Sequence, residues 1–323
     1  MTTSGNLHKP CRIVFFGTPE FAVHCLDALV QNHHEVVGVV TAPDRKAGRG
    51  KKITPSAVKN FAEKKGLKVL QPENLKDTGF IDQLKALKAD LMIVVAFRML
   101  PKQVWELPPL GTFNLHASLL PQYRGAAPIN WAIINGEKIS GVTTFLIDEK
   151  IDTGALLLQE KIPLSPEETA GSLHDKMAQI GSQVMLQTID GLVNQTLKAQ
   201  VQSTDMALKP APKLTKENTK ICWDAALETI ATQIKGLDPY PGAWTNFQNG
   251  SELAVVKIFE VAIVKEKNTN PPGKIIIVEK QIRVAHPEGW LVCKTLQLPN
   301  KLRLAASALL NGYQFGPNSC FLN

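Results

Sequence analysis

Two polar side chains stand close together in the stretch NLHASLLPQYRG, residues 114–125. Asn114 and His116 are separated by one residue, so on an extended strand both side chains project from the same face. An amide and an imidazolium directed at one point can stabilise an oxyanion. A histidine considered alone more often hydrogen-bonds the start of the next loop, and that simpler interpretation stays open at this stage.

A carboxylate follows in the stretch IDEKIDTG, where Asp152 lies in a turn after the strand-like run GVTTFLI. Aspartate is common in turns because its side chain bonds its own backbone, so this position alone says little. Beside a histidine, however, a carboxylate favours the charged imidazolium and can assist proton transfer. The sequence has no G-x-S-x-G motif and no cysteine near His116. We therefore predict that two substrates react directly, with Asn114, His116 and Asp152 supplying electrostatics and proton transfer.

The residues after His116 resemble the wall of a small-molecule pocket. SLLP, residues 118–121, places apolar side chains and the fixed backbone of Pro121 beside the polar pair. Pro128 suits the first turn of the helix that follows. A small organic substrate is therefore expected to bind here.

Buried strands alternate with helical segments through the first part of the chain. The strand-like runs are CRIVFFG, EVVGVVTA, KVLQP, ADLMIVVAF, GTFNLH, GVTTFLI and ALLLQEKIPL. Most are separated by segments with helical spacing, such as EFAVHCLDALVQN and DTGFIDQLKALK, and a long helix is predicted at about 169–198. This alternation predicts an α/β fold with a parallel, doubly wound sheet. Ligands of such sheets bind beyond the carboxyl ends of the strands, where Asn114 and His116 lie.

A change of composition near residue 203 indicates a second domain. The stretch STDMALKPAPKLTKENTK is rich in Pro, Thr and Lys and lacks apolar periodicity, as is typical of a linker. A helix at about 223–236 and several strand-like runs follow it. We predict a first domain at 1–203, a linker at 204–218 and a small β-barrel domain at 219–323.

Composition narrows the class of protein. The chain of 323 residues is 44% hydrophobic and 20% charged, as in soluble globular proteins. Its first residues do not resemble a signal peptide, and no run approaches the ~20 apolar residues that cross a bilayer. We expect a cytoplasmic protein that does not associate with membranes. Five scattered cysteines without C-x-x-C spacing argue against a disulfide framework and a structural zinc site.

A cluster of positive charge follows the second strand. Five cations lie within eight residues: Arg45, Lys46, Arg49, Lys51 and Lys52. Such a run is usually a solvated surface. Here Gly48 and Gly50 make the segment flexible, and it leaves the sheet at the edge predicted to carry the site. Phosphate contacts are therefore an alternative role for these cations.

FNLHASLLPQYRGAAPINWAI, with GVTTFLIDEKIDTG downstream, resembles the signature of the folate-dependent formyltransferases, which use N10-formyltetrahydrofolate. The resemblance extends to IVFFGTPEFA, TAPDRKAGRGKK and DPYPGAW and covers nearly the whole chain. PDRKAGRGKK and the additional β domain are similar to the branch of this superfamily that formylates methionyl-tRNA. The resemblance implies a Rossmann-like formyltransferase domain followed by a small OB-like barrel that supports tRNA binding.

The resemblance also implies a mechanism. The α-amino group of methionine on initiator tRNA would attack the formyl carbon on N10 of the folate, giving formylmethionyl-tRNA for translation initiation. Asn114 and His116 would stabilise the oxyanion, while Asp152 would orient and charge His116 and help pass the proton to the departing N10. The segment matching the family's folate contacts is Ser118, Leu119, Leu120 and Pro121.

Further implications concern partners. The cations Arg45 to Lys52 match a loop that enters the acceptor end of the tRNA. Formyl-folate is a co-substrate consumed at each turnover, no metal is implied, and we expect a monomer. One segment departs from the family pattern: AFRMLP, residues 96–101, is one residue shorter than usual and has Arg98 in place of a flexible glycine. This loop normally borders the pterin pocket, so its contacts are expected to differ.

Three other functions fit parts of the sequence. A nicotinamide-dependent dehydrogenase would also use a doubly wound sheet, but FGTPEF is not the G-x-G-x-x-G motif. A non-catalytic RNA-binding protein would account for the cations and the β domain but not for Asn114, His116 and Asp152 together. Within the superfamily, a formyltransferase acting on a UDP-amino sugar remains the alternative.

Overall fold

A computed structural model describes residues 10–47, 52–203 and 207–323. Its described residues group into two compact units. The first draws on the described residues within 10–125, 140–162 and 174–210, and the second on residues 126–139, 163–173 and 211–323. The second unit thus includes two segments from the earlier part of the chain. The predicted division, with a boundary at residue 203 and a linker at 204–218, is drawn from composition along the chain, whereas these units are groups of residues in contact. The predicted division stays a prediction.

The elements alternate largely as the sequence predicts. The earlier strands are Arg12–Gly17 (β1), Glu35–Val40 (β2), Arg45–Ala47 (β3), Lys52–Thr54 (β4), Val69–Leu70 (β5), Leu91–Val95 (β6), Thr112–His116 (β7), Ile139–Leu146 (β8) and Leu156–Pro163 (β9). The later strands are Ala243–Asn249 (β10), Glu252–Val264 (β11), Ile275–Val278 (β12), Gln281–His286 (β13), Gly289–Gln297 (β14), Leu304–Ala305 (β15) and Cys320–Leu322 (β16). The helices are Glu20–Val30 (α1), Ala57–Lys64 (α2), Thr78–Ala86 (α3), Lys102–Trp105 (α4), Pro128–Ile134 (α5), Ala170–Val193 (α6), Leu227–Leu237 (α7) and Ala306–Leu309 (α8).

A seven-stranded sheet in the order β5-β2-β1-β6-β7-β8-β9 organises the first unit. Strand β1 pairs in parallel with β2 and β6, and β6 pairs in parallel with β7, which confirms the doubly wound arrangement in this part. Strand β8 runs antiparallel to β7, with His116 opposite Thr143. The expectation of parallel strands was wrong at this position. A parallel return needs a crossover helix packed on the sheet, whereas the intervening α5 packs on α7.

The centre of this sheet is apolar on both faces. All five residues of β6 are buried, and Ile13 to Phe16 of β1 have no exposed surface. Continuous apolar runs of this kind are typical of central strands in a covered parallel sheet. Helices α2 and α3 begin at side-chain caps, where Ser56 and Asp77 accept hydrogen bonds from backbone N–H groups three residues later.

The cationic segment is partly a hairpin rather than a simple loop. Strands β3 and β4 pair antiparallel, with Arg45 opposite Thr54 and Ala47 opposite Lys52. The connecting residues 48–51, which carry Arg49 and Lys51, lie outside the described residues.

A small antiparallel barrel forms the main part of the second unit. Its strands follow the order β12-β13-β14-β11-β10-β16, with β15 paired to β14. Hydrogen bonds between residues 273–275 and 319–321 join the start of β12 to β16 and close the sheet. Its core includes Trp223 stacked on Phe321, with ring centroids 5.4 Å apart. A compact β domain at the carboxyl-terminal end is therefore confirmed.

Helices α5 and α7 pack together within the same unit. The side-chain amide of Asn130 donates a 2.8 Å hydrogen bond to the carbonyl of Gly236. A Cβ atom on Gly236 would lie 2.5 Å from Ile134 Cγ1 and 2.9 Å from the Asn130 carbonyl oxygen, so only glycine allows this approach. Among the described residues, no helix is long and apolar enough to cross a membrane.

Candidate active site

Asn114 presents an amide with an unmet hydrogen-bonding need. It lies on β7 between Val94 of β6 and Phe145 of β8. Its Oδ1 atom is buried and has no hydrogen-bond partner within the described part of the chain. Leaving a buried acceptor unpaired costs about 1–3 kcal/mol, so such a group requires an explanation, of which a catalytic role is one. A ligand N–H group at this position would satisfy it.

His116 is buried at the end of β7, with 7% of its surface exposed. Its Nε2 atom lies 2.9 Å from the Tyr123 carbonyl oxygen, so this nitrogen carries the hydrogen and donates it. Its Nδ1 atom lies 3.8 Å from Oδ2 of Asp152. When Nδ1 is protonated, the imidazolium and the carboxylate form an ion pair. Both ring nitrogens therefore face acceptors that the protein supplies.

Asp152 reaches His116 by a route that the sequence did not predict. Strand β8 ends opposite Phe113, at the start of β7, because the two strands are antiparallel. The loop between β8 and β9 must therefore run back along β7 to bring Asp152 to His116. Asp152 has a φ of 56°, a left-handed conformation uncommon for residues other than glycine. Its Oδ2 atom accepts a 2.9 Å hydrogen bond from the backbone N–H of Gly125.

The Gln202 side chain joins the two segments around His116. Its Nε2 atom donates to the carbonyl oxygens of Asp152 at 2.9 Å and Gly154 at 2.8 Å. Its Oε1 atom accepts from Nε and Nη2 of Arg124 at 3.2 and 2.6 Å. Sequence reasoning missed Gln202, because a single glutamine at the edge of a polar stretch gives no periodic or motif signal.

The beginning of the predicted linker is hydrogen-bonded to the turn after β7. The backbone N–H of Tyr123 donates to the Lys209 carbonyl at 2.7 Å. The Gln122 side chain donates to the Ala207 carbonyl at 3.0 Å and accepts from the Lys209 N–H at 2.8 Å. Residues 207–209 are therefore part of the structure that supports the Tyr123 carbonyl.

The SLLP segment is fixed through its backbone. Thr143 Oγ1 donates to the Ser118 carbonyl at 2.6 Å and accepts from the Leu120 N–H at 3.2 Å. Gln159 Nε2 donates to the Leu120 carbonyl at 2.8 Å. The Ser118 hydroxyl is used within its own turn, donating to the Gln122 carbonyl at 2.7 Å. Ser118 and Leu120 are buried, whereas Leu119 and Pro121 keep partly exposed surfaces that a ligand could contact.

The shortened AFRMLP segment is held through Arg98. Its Nη1 atom donates to the Glu73 carbonyl at 2.8 Å, and Nη2 donates to the Pro72 carbonyl. Burial, together with the charge of Arg45, holds the pKa of the Arg98 guanidinium below its usual value. The residue that departs from the family pattern thus attaches this loop to the segment after β5.

The five cations are only partly covered by the structure. Arg45 and Lys46 lie on β3 and Lys52 lies on β4, whereas Arg49 and Lys51 lie outside the described residues. Arg45 is exposed. Their role in binding tRNA stays a prediction.

One group in the described residues has the spacing of metal ligands. The ligand atoms of His33, His34 and Asp190 lie within 4.8 Å of one another. Nδ1 of His34 accepts the Cys11 N–H, so the neutral ring carries its hydrogen on Nε2, 3.3 Å from Asp190 Oδ1. Burial, and then the charge of His33, lower the pKa of His34. This geometry is a hydrogen-bonded pair, and binding a cation through Nε2 would first require that hydrogen to leave.

The buried cysteines of the first unit are poor nucleophiles. Burial raises the pKa of Cys11 and of Cys25 to about 12, so both remain thiols near neutral pH. This agrees with direct reaction between two substrates.

Comparisons with known proteins identify the family of this chain. Residues 11–189 match the formyl transferase family, and residues 213–314 match the formyl transferase C-terminal domain. The methionyl-tRNA formyltransferase of Flavobacterium johnsoniae is 51% identical over 304 residues, covering 94% of this chain and 96% of the relative. That of Bacteroides thetaiotaomicron is 48% identical over 309 residues, with the same two coverages.

A solved structure shares the fold. HypX from Aquifex aeolicus in complex with tetrahydrofolic acid aligns with a TM-score of 0.65 at 19% identity, covering 94% of this chain and 47% of that chain. The family match spans both the α/β part and the carboxyl-terminal part, and the two bacterial relatives align over nearly their full length. This chain therefore belongs to the formyl transferase family.

Proposed function

We propose that this protein transfers the formyl group of N10-formyltetrahydrofolate to the α-amino group of methionyl-initiator tRNA, giving formylmethionyl-tRNA for translation initiation. The identity of relatives named methionyl-tRNA formyltransferase, about one residue in two over nearly the whole chain, supports this substrate. The observation that carries the chemistry is the unpaired Oδ1 atom of Asn114, on the same strand as His116, which faces Asp152.

The proposed reaction begins when the uncharged amine attacks the formyl carbon. A C–N bond forms and the formyl oxygen becomes an oxyanion, to which the Asn114 amide nitrogen donates a hydrogen bond. The buried Oδ1 atom of Asn114 accepts an N–H of the attacking amine. The bond to N10 then breaks, and the proton lost by the amine passes to N10 with the assistance of Asp152.

Asn114 and His116 are proposed to stabilise the oxyanion in different ways. Nε2 of His116 already donates to Tyr123, and Nδ1 faces Asp152. His116 is therefore proposed to stabilise the oxyanion through the positive charge of its ring, while Asn114 supplies the direct hydrogen bond. The partly exposed Leu119 and Pro121 are proposed to contact the folate.

The substrate is tested by offering formyl-folate with charged initiator tRNA, a UDP-amino sugar or glycinamide ribonucleotide. We expect only the tRNA to be formylated efficiently. Asn114→Ala should lower kcat by about 10²-fold or more, because a preorganised donor is lost. Asn60→Ala, which removes an exposed amide on α2, is the control and should be silent. Preferential formylation of the UDP-amino sugar would replace the proposed substrate.

The cations from Arg45 to Lys52 are proposed to contact tRNA phosphates. Changing all five to Gln should lower kcat/KM for charged tRNA and reduce the salt slope by up to about one for each phosphate that is no longer bound. Formyl-folate affinity measured without tRNA should not change. A double variant of the exposed Lys64 and Lys68 to Gln is the matched control. Wild-type efficiency and salt dependence in the five-residue variant would exclude this role.

A further inference from the structure

We infer that Gln202 is a positioning residue for formyl transfer, which sets the geometry of His116 by linking the two segments that hold its ring. The inference rests on the proposed function, because it assigns Gln202 to the same reaction. Gln202 does not touch reacting atoms in this scheme and acts through its neighbours.

The first segment is the loop that carries Asp152. Two hydrogen bonds from Gln202 Nε2, to the carbonyls of Asp152 and Gly154, fix this loop at the point where Asp152 has left-handed backbone. Space there is limited, since a Cβ atom on Gly154 would lie 1.7 Å from the Leu146 carbonyl oxygen. Gln202 therefore holds the backbone of Asp152, whose carboxylate faces Nδ1 of His116.

The second segment is the turn of residues 123–125. Tyr123 supplies the carbonyl that accepts from His116 Nε2, and Gly125 donates its N–H to the Asp152 carboxylate. Arg124 lies between them and places its guanidinium on Gln202 Oε1. The segments that carry Tyr123 and Asp152, the partners of the two His116 ring nitrogens, are thus connected through the buried side-chain amide of Gln202.

Glutamine suits this position because it has a full set of partners. Its two amide hydrogens go to the two carbonyls and its oxygen accepts from two guanidinium N–H groups, which fixes the orientation of the amide. Only 6% of Gln202 is exposed, so water does not readily replace a missing bond. Gln202→Glu would retain the bonds from Arg124 and lose both donated bonds, whereas Gln202→Met would lose all four.

The test compares Gln202→Met with Gln200→Met, which changes an exposed glutamine two residues earlier. We expect Gln202→Met to lower kcat by roughly 10–100-fold, as a displaced catalytic group does, with KM for formyl-folate changed less than about 2-fold. Gln202→Glu should lower kcat at least as much, because a carboxylate oxygen would face the Asp152 and Gly154 carbonyl oxygens, which it repels. The Gln200 variant should be indistinguishable from the wild type. Equal activity of the two methionine variants would overturn the inference.

A double-mutant cycle separates positioning from general weakening of the fold. In a His116→Ala background, Gln202→Met should cost at least about 3-fold less in kcat than in the wild-type background, since the ring that it positions is already gone. The same fold loss in both backgrounds would show a merely structural role and overturn the inference. His116→Ala with normal turnover would instead refute the role proposed for His116, whereas a wild-type protein that does not formylate charged initiator tRNA would refute the proposed function.

A spectroscopic readout covers the case in which Gln202→Met is unstable. In the wild type, the ring Nε2–H of His116 should give a slowly exchanging nitrogen–proton NMR signal, because it is buried and bonded to Tyr123. In Gln202→Glu, whose bonds from Arg124 remain, this signal should shift or broaden. An unchanged ring signal in a folded Gln202→Glu protein would contradict coupling between Gln202 and His116.

Discussion

Replacing Asp152 with asparagine tests the charge at the centre of the site without changing its shape. The asparagine Oδ1 atom can still accept from the Gly125 N–H, which now binds the carboxylate at 2.9 Å. The bonds from Gln202 to the Asp152 and Gly154 carbonyls involve the backbone and are unaffected. Asp152→Asn therefore removes the negative charge that faces His116 and little else.

The magnitude follows from the distance and the burial. Nδ1 of His116 and Oδ2 of Asp152 are 3.8 Å apart, and their side chains are 8% and 10% exposed. Two unit charges at this distance interact by about 4 kcal/mol at an effective dielectric constant of about 20. If all of this favours the transition state, at about 1.4 kcal/mol per decade, the rate falls by roughly 10³-fold. Losing assisted proton transfer alone gives about 10²-fold, so we expect a kcat loss between these values.

The assay is single-turnover formylation of charged initiator tRNA at saturating formyl-folate, together with thermal unfolding. Asp148→Asn is the matched control, because Asp148 lies in the same loop and bonds the Lys150 N–H and the Thr153 hydroxyl. It should leave kcat within about 3-fold, since its carboxylate has no role in the proposed chemistry. A loss below 10-fold in a stably folded Asp152→Asn protein would refute the electrostatic argument.

Three further predictions concern the support of the site and the fold. Thr143→Val should raise KM for formyl-folate about 10-fold and lower the free energy of unfolding by at least about 2 kcal/mol, because the Ser118 carbonyl and Leu120 N–H lose a buried partner. An unchanged KM in steady-state kinetics would show that these two hydrogen bonds do not contribute to folate binding. Gly236→Ala should destabilise the second unit by about 1–3 kcal/mol in denaturant unfolding, because the overlap with α5 outweighs the better helix propensity of alanine; a gain in stability would contradict the close approach. The lowered pKa of His34 means that the unfolded chain binds more protons as pH falls below about 6.5, so stability is lost on acidification. His34→Gln should therefore show a smaller drop in Tm between about pH 7 and about pH 5, and an equal drop would assign the pH dependence to other groups.

Much of the α/β part could be predicted because its physics is local. Uninterrupted apolar runs such as β1 and β6 indicate strands that are covered on both faces. The placement of Asn114 and His116 on one strand likewise depends only on a two-residue period. Each of these patterns lies within a few consecutive residues, so it can be recognised without knowing which distant residues pack against it.

Features that depend on distant partners could not be predicted in this way. The direction of β8 depends on where α5 packs, and α5 meets α7 far along the sequence. Gln202 and Lys209 look like ordinary polar residues near a linker, and only their bonds to residues 122–124 and to the Asp152 loop give them a place in the site. Asp152 is identified by resemblance and by residue type, while its path back along β7 follows from an antiparallel register.

The pairing of α5 with α7 has a consequence for how the chain is made. The residues in contact, Asn130 and Gly236, are 106 positions apart, so α5 leaves the ribosome long before its partner exists. At about 5–20 residues per second, the interval is roughly 5–20 s. During that time the apolar side of α5 around Ile134, which later packs against the core of the second unit, has no native cover. Slow codons between these two helices would lengthen this exposure, and fast ones would shorten it, without altering a single residue of the finished protein.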